Sequence, residues 1–455
     1  MKQAVKKKSA SNPMAALSAF KAKNGIITKE NPNVAASNAD KPMKWLVMPK
    51  GFQDATKLPG IPVGYFTSLL GHTNVGKTTI VNHAITQAQK MGLLPVIIDT
   101  ENAFDVTFAQ SMGFEAEPIY GSVEIEEMDI ETGEINVVER EEIVGYDGNL
   151  IYFNSRLLAD RYGDIDWSKG VRTKTKRKIA VIEDVAALIN DLLDAQEKGE
   201  VQQGLLFVWD SVGSIGCYKE LSSGGDIGKS GNPMWTAAAI SAAFNMITND
   251  RIPSSRKISS EYTNTLLTIN KIWLEPNMAG LPPTVRKKGG NALGYSCRLE
   301  LFLGGKLSSG TKQLTATSKG ATFNYGIETK IQVTKNHLPE PWNLTYQGKY
   351  YATSQGIIAL DELDAYKKEH VGDILKQLNK ILESQGETVT EADAIEFGEV
   401  EDGACKRRNA KYNTDREPKT VHGKEPINEC DNKTGEKTYD KAVKCGVEPR
   451  FESEL

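Results

Sequence analysis

A chain of 455 residues with 39% hydrophobic and 25% charged side chains has the make-up of a globular protein with one large core and polar appendages. No apolar run approaches the ~20 residues of a membrane span, and the lysine-rich start (Lys2, Lys6, Lys7, Lys8) leads into no hydrophobic signal core, so the cytoplasm is the expected location and no membrane partner is expected. The net charge of −4 excludes nothing about nucleic acid, because a binding groove needs local basic density and not a basic total.

In chain order, Asn12 to Gly25 predicts a short helix. Asn12 caps it, Pro13 suits its first turn, Asn24-Gly25 stops it, and Met14, Leu17 and Phe20 form one narrow apolar edge. So short a helix needs a surface to dock on. Its own core and a neighbouring copy are both open, and the polar spacer from Thr28 to Lys41 gives it the reach for a neighbour. Residues 1–50 are set apart as an oligomerisation arm on this reading.

Residues 51–345 alternate strand and helix. Tyr65 to Leu70 predicts a strand, Thr78 to Met91 a helix and Leu94 to Asp99 a buried strand. Ala180 to Lys198 predicts a helix, and Leu205 to Trp209 and Thr265 to Ile269 predict two more buried strands. Such alternation predicts an α/β fold on a doubly wound, mostly parallel sheet, with ligands beyond the carboxyl ends of the strands.

The first of these strands runs into Gly71-His72-Thr73-Asn74-Val75-Gly76-Lys77-Thr78-Thr79, which has the spacing G-x-x-x-x-G-K-T of a phosphate-binding loop. Glycines let successive backbone N–H groups curl around a polyphosphate, and the helix that follows turns its N-terminal dipole on the same anion. Lys77 is expected on the terminal phosphates and Thr78 on Mg²⁺, so the ligand is a nucleoside triphosphate. The other strands each deliver polar groups at their carboxyl ends: Asp99-Thr100-Glu101, Asp210-Ser211 and Asn270-Lys271. An acid directly after an apolar run makes Asp210 the second Mg²⁺ ligand, leaving Glu101 to orient and deprotonate the attacking water. A plain helix cap remains the alternative for Asp210, and more so for Asp99.

Two segments between the strands carry their own signals. Val123 to Ile130 and Ile135 to Val138 alternate about a glycine turn like a hairpin, and the stretch runs on to the basic Arg172-Thr173-Lys174-Thr175-Lys176-Arg177-Lys178. Residues 120–178 read as an insertion, with the basic run either a nucleic-acid patch or a solvated face. Trp273 to Gly290 reads as a long loop in which Arg286, Lys287, Lys288, Gly289 and Gly290 suit a phosphate backbone, while Leu274, Met278 and Leu281 suit contact with bases. After the core, residues 346–383 read as a small helical cap. Residues 384–455 are polar, lack apolar periodicity and are expected to be disordered. The five cysteines (Cys217, Cys297, Cys405, Cys430, Cys445) form no C-x-x-C pair, so neither a zinc ribbon nor a disulfide framework is indicated, and His422 stands too far from any of them for a metal site.

Taken together, Gly71 to Thr79, Ile97 to Asp105 and Phe207 to Val212 resemble the ATP site of the RecA family of DNA recombinases. Asn264 to Ile272, followed by Gly289-Gly290-Asn291-Ala292-Leu293, is similar to the strand and closing segment around that family's second DNA-binding loop. Gly225-Asp226-Ile227-Gly228-Lys229-Ser230 resembles its first, which assigns Lys229 to DNA. The resemblance covers roughly residues 50–345 with an interruption, and implies a RecA-like core that takes ATP and Mg²⁺. It implies a homo-oligomeric helical filament on single-stranded DNA that pairs with duplex DNA, assisted by accessory single-strand-binding or loader proteins, in a bacterial cytoplasm or that of a phage-infected host. It also puts Phe108 where an aromatic stacks on the base, although the residue by itself reads equally as core, and Lys335 where a cation reaches in trans to the γ-phosphate of the next subunit. Two departures stand out. Lys271 takes the place of a γ-phosphate-sensing glutamine beside Asn270, and Lys335-Asn336-His337 holds one lysine where bacterial members hold two, a divergence closer to phage, UvsX-like members. Two other classes stay open: a helicase or motor ATPase on the same core, and an ATP-binding scaffold without turnover. The first calls for a helical domain ahead of the core, where about fifty polar residues stand; the second calls for a lost catalytic acid, while Glu101 is present.

Overall fold

Apolar runs that stay apolar on both alternations need a sheet covered on both faces, and that is how the strands are used. The structure, a computed structural model, describes Phe20, Lys21, Lys23 and residues 40–128, 135–222, 233–275, 277, 283–287, 292–306, 308–383, 388–389 and 395–401. The arm helix apart from those three residues, the segment 225–230 with Lys229, Met278, Leu281, Lys288, Gly289, Gly290 and the tail from 402 lie outside the described residues.

The chain enters through a small ladder, β1 (Trp45–Val47) and β2 (Gly60–Pro62), around helix α1 (Lys50–Thr56). Next come β3 (Phe66–Gly71), α2 (Lys77–Lys90), β4 (Leu94–Asp99) and the short α3 (Val106–Gln110). A two-stranded ribbon follows, β5 (Glu117–Met128) with β6 (Ile135–Asp147), then β7 (Ile151–Asn154) and α4 (Ser155–Tyr162). A two-residue pair, β8 (Ile165–Asp166) and β9 (Val171–Arg172), precedes α5 (Ile182–Glu197), β10 (Leu205–Asp210), α6 (Tyr218–Ser222) and α7 (Pro233–Met246). The second half holds β11 (Thr265–Glu275), β12 (Thr284–Lys287), α8 (Ala292–Ser296), β13 (Leu299–Leu303), β14 (Lys312–Ser318) and β15 (Ala321–Asn336). It continues with β16 (Gln347–Thr353), β17 (Gly356–Ile358), α9 (Leu363–Glu369), α10 (Val371–Glu383) and β18 (Glu396–Glu401).

The main sheet has the order β17-β16-β15-β13-β3-β11-β10-β4-β7. From β13 through β7 every neighbouring pair is parallel, and from β13 outward through β15, β16 and β17 every pair is antiparallel. Alternate residues feed two cores. Ile97, Leu206, Val208, Leu267 and Leu301 face Ile80, Ala84 and Ile85 of α2. Val96, Ile98, Phe207 and Trp209 face Leu188 and Ile189 of α5 and Phe244 of α7. Trp209 and Phe66 both stack on Phe244, at centroid distances of 5.9 and 5.2 Å, and full burial of each such ring stabilises by about 3 kcal/mol. His83 ties α2 to the antiparallel edge, accepting from Ile357 N at 3.0 Å; burial draws its imidazole down to about 4 and keeps it a neutral acceptor.

Three segments differ from the sequence reading. The insertion does not run through to residue 178, because β7 pairs with β4 and α4 buries Leu158 and Tyr162 in the core beside α5. Among the described residues of this stretch, the β5–β6 ribbon and the two-residue β8–β9 pair stay outside the main sheet. Gln347 to Ile358, read as the start of a helical cap, instead forms β16 and β17, in which Tyr350 is fully buried in the main core. Helices α9 and α10 then pack on β14 and β15 through Tyr366, Leu378 and Leu382. Finally, Glu396 to Glu401, read as part of the disordered tail, pairs in register with β14 and completes that edge, where Lys312 meets Glu399 at 3.0 Å. Among the described residues no helix is long and apolar enough to cross a membrane.

Candidate active site

The loop between β3 and α2 owes its path to two glycines. A Cβ on Gly71 would stand 2.6 Å from the carbonyl oxygen of Leu303, and Gly76 takes φ +87° at the N-cap of α2. No side chain caps that helix, so its first N–H groups stay available to an anion. Thr73 and Asn74 are exposed at the tip, Val75 is buried, and Thr78 is half-buried in the first turn beside the buried Thr79. His72 lies with Nε2 at 3.4 Å from the Lys306 carbonyl. Lys77 folds back over the loop, its ammonium donating to the carbonyls of Gly71 (3.2 Å) and His72.

Sheet register brings the acids to this loop. Asp99 and Asp210 are paired neighbours at the ends of β4 and β10, and Lys271 on β11 is opposite Gly71 on β3. Asp210 is hard to ionise, pushed up to about 6 by burial and by the charges of Glu101 and Asp99, which Lys77 and Lys271 only partly offset. Lys77 is drawn down to about 8, chiefly by burial, against the attraction of Asp210. A partly buried carboxylate held among other acids is a group that a cation would stabilise, and Thr78 carries a half-buried hydroxyl in the first turn of α2. Among the described residues no group of three or more His, Cys, Asp or Glu side chains is placed to hold a metal by itself. Magnesium needs no such group, since it takes one or two protein ligands with phosphate and water.

Glu101 is held from two sides. Its Oε2 accepts from Lys271 Nζ at 2.6 Å and its Oε1 accepts from Ser211 Oγ. Burial opposes its ionisation, but these hydrogen bonds and the charges of Lys271 and Lys77 prevail and hold the carboxyl below its ordinary range. Asp99 has a different occupation. It accepts from the backbone N–H of Glu101 (3.1 Å) and Phe104 (2.9 Å) and from the Tyr152 hydroxyl (3.1 Å), so it shapes the turn that carries Glu101. Ser211, Ser214, Thr100 and Tyr152 were not singled out from the sequence. The Asp210-Ser211 and Asp99-Thr100-Glu101 groupings hinted at two of them, Ser211 and Thr100; Ser214 was in neither, and Tyr152 lay inside the supposed insertion. Thr100 Oγ1 meets Ser214 Oγ at 2.5 Å and the Ser211 carbonyl at 2.9 Å, locking the ends of β4 and β10 together.

The remaining predicted residues fall into two groups. Asn270, fully buried, and Lys271 end the sheet portion of β11 beside Glu101, around a 460 Å³ cavity also lined by Thr100, Gly213, Ser214 and Trp273. Phe108 is half-exposed on α3, while Phe104 takes the core position against Phe114 and Tyr152. Beyond Lys271 the chain is not simply a loop: β11 continues and pairs with β12 as an antiparallel hairpin. Arg286, 57% exposed, pairs with Glu275 at 2.5 Å, and Lys287 pairs with Glu300 at 2.7 Å. Lys335 is not among the groups around Lys77. Its ammonium donates to the carbonyls of Gly294 (2.6 Å) and Tyr295 (3.0 Å) at the end of α8. In the basic run, Arg177 pairs with the fully buried Asp184 at 2.8 Å, which favours an internal role for this cation, while Arg172 pairs with Asp164 at 2.7 Å on the solvated surface.

Residues 48–141 match the RecA N-terminal domain. The α/β sheet and its loop are therefore a RecA-like core. The chain is 38% identical over 92 residues to protein RecA of Aquifex aeolicus, covering 18% of this chain and 27% of that protein. It is 30% identical over 139 residues to protein RecA of Thermotoga petrophila, covering 26% and 39%. To protein RecA of Porphyromonas gingivalis it is 40% identical over 70 residues, covering 15% and 21%. The chain thus spans about a quarter of the length of the Aquifex relatives it matches.

Proposed function

We propose that this chain is an ATP-dependent DNA recombinase of the RecA type, which assembles as a filament on single-stranded DNA, pairs it with a homologous duplex and hydrolyses ATP. One observation carries the reading: the strand that ends at the Glu101 site with Lys271 continues without a break into the β11–β12 hairpin, so the nucleotide and the candidate DNA surface share one backbone element. Lys77 would hold the terminal phosphates, giving up its two loop carbonyls. Thr78 and Asp210 would hold Mg²⁺, which supplies charge neutralisation and orientation of the phosphates. Glu101 would orient the attacking water and take its proton, with Ser211 fixing the carboxylate. Phe108 offers a half-exposed ring for the base. Arg286 and the neighbouring Lys288, Gly289 and Gly290, with Lys229, are the proposed contacts to the DNA backbone, and Lys335 the cation supplied to the next subunit in the filament.

The test is strand exchange read by fluorescence transfer. Full chain with ATP and Mg²⁺ is mixed with a labelled single strand and a labelled homologous duplex. Exchange with the homologous duplex and none with a heterologous one is the expected result. Hydrolysis without any pairing would leave a motor role in its place, and ATP binding without hydrolysis a scaffold.

A further inference from the structure

Lys271 sits at a junction of the backbone. It is the last residue of β11 paired with β3, opposite Gly71, and Ile272 after it is the first paired with β12, opposite Lys287. On the sheet side, Thr265 to Asn270 are all buried; on the hairpin side, exposed side chains begin with Lys271 itself, then Trp273 at 47% and Glu275. The two-residue repeat of a strand puts Lys271 and Trp273 on one face, and both line the cavity that holds Glu101. Both oxygens of the Glu101 carboxylate are engaged, one by Lys271 and one by Ser211. A carboxylate in a direct ion pair has a lowered affinity for a proton, which is the opposite of what a general base needs.

We infer that Lys271 is a positioning residue that holds Glu101 idle while the hairpin rests against the site, and that displacement of the hairpin by nucleic acid withdraws the ammonium and frees the carboxylate. The inference rests on the reading of Glu101 as the base and adds a brake to it. The geometry suits exchange: the Lys271 side chain is 47% exposed and that of Glu101 18%, so the lysine is the less enclosed half of the pair. A tilt of the hairpin about the Lys271–Ile272 junction moves Lys271 and leaves Glu101, on β4's own turn, in place. The terminal phosphate of a bound nucleotide offers the same ammonium a second anion, so nucleotide and nucleic acid act on the pair in the same sense.

The test begins with the full chain free of nucleotide, where hydrogen exchange of the amides at 272–275 and 284–287 reports how firmly the hairpin is pinned. Lys271→Met and Glu101→Gln should each speed that exchange about fivefold, the ratio a partly exposed ion pair supplies, while amides at 265–270 keep their rates. Lys271→Arg retains the cation and should return exchange toward wild type. In a second arm, Lys271→Met should hydrolyse ATP faster than wild type without nucleic acid and gain less from adding single strands. Unchanged hairpin exchange in both the Met and Gln variants, or a basal rate at or below wild type, overturns the brake. A wild-type chain that hydrolyses no ATP under any condition would overturn the proposed function instead, and the exchange arm would still judge the pin.

Discussion

On the proposed roles, the two perturbed groups at the loop, Asp210 and Lys77, would set a pH window for nucleotide binding. Burial pushes Asp210 up to about 6, and as the proposed metal ligand it would bind only as the carboxylate. At pH 7 about 90% of it is ionised and at pH 5 about 10%, so affinity for Mg²⁺–ATP should fall roughly tenfold, or ~1.4 kcal/mol, as pH drops through 6. Burial draws Lys77 down to about 8, and in its proposed role it would hold phosphate only as the ammonium. Its contribution is complete below 8 and is lost as pH rises, by about tenfold between pH 7 and 9. Affinity should therefore peak near pH 7 and be about halved at 6 and at 8. A fluorescent ATP analogue titrated at constant Mg²⁺ and ionic strength reads this directly. Asp210→Asn should bind more weakly and lose the acid limb, and Lys77→Arg should lose the alkaline one. Titration of the phosphate itself is common to all the proteins and cancels in their ratios. If the wild type and Asp210→Asn decline in parallel between pH 7 and 5, Asp210 is not the metal ligand.

Glu101→Gln should bind ATP normally and hydrolyse it 10²- to 10⁴-fold more slowly, checked by single-turnover release of phosphate; normal turnover would remove Glu101 as the base. Arg286→Ala should weaken binding of single strands and lower the slope of log affinity against log salt by about 0.7, whereas an unchanged slope would remove Arg286 from the DNA surface. Lys287→Ala should mainly cost stability, about 1 kcal/mol in thermal melts, because Glu300 loses its partner at a site where lysine and carboxylate are 22% and 13% exposed. Lys335→Ala and Lys77→Ala subunits should each be inactive alone yet regain some hydrolysis when mixed, at junctions where an intact loop meets an intact Lys335. No recovery in mixtures shown to co-assemble would place Lys335's action within its own subunit.

Local signals wrote much of this site into the sequence. The G-x-x-x-x-G-K-T spacing, the apolar run before it and the helix after it are contiguous, and Asp210 and Glu101 stand at the carboxyl ends of buried runs, so periodicity marked them as candidates. What stayed hidden depends on pairing between distant residues. β7 (Ile151–Asn154) is only four residues of half-buried strand, and nothing in I-Y-F-N declares that β4 is its partner. β18 has the polar composition of a tail and becomes a strand because β14 offers it an open edge. The loop after Lys271 has too few apolar alternations to announce a hairpin, yet pairing of Trp273 with Arg286 and of Leu274 with Val285 makes one. Asp99 and Glu101, two residues apart with the same chemistry, are told apart only by their partners: three donors from the turn and β7 occupy the first, while Lys271 and Ser211 hold the second.

The most direct test of the whole account is the rate of ATP hydrolysis by the intact chain with no DNA, with single-stranded DNA and with duplex DNA. A site whose base is held by the root of a DNA hairpin predicts slow hydrolysis alone and a rise of about tenfold or more with single strands, lost in Glu101→Gln. Hydrolysis that proceeds at the same rate with and without DNA would contradict the coupling on which the account stands.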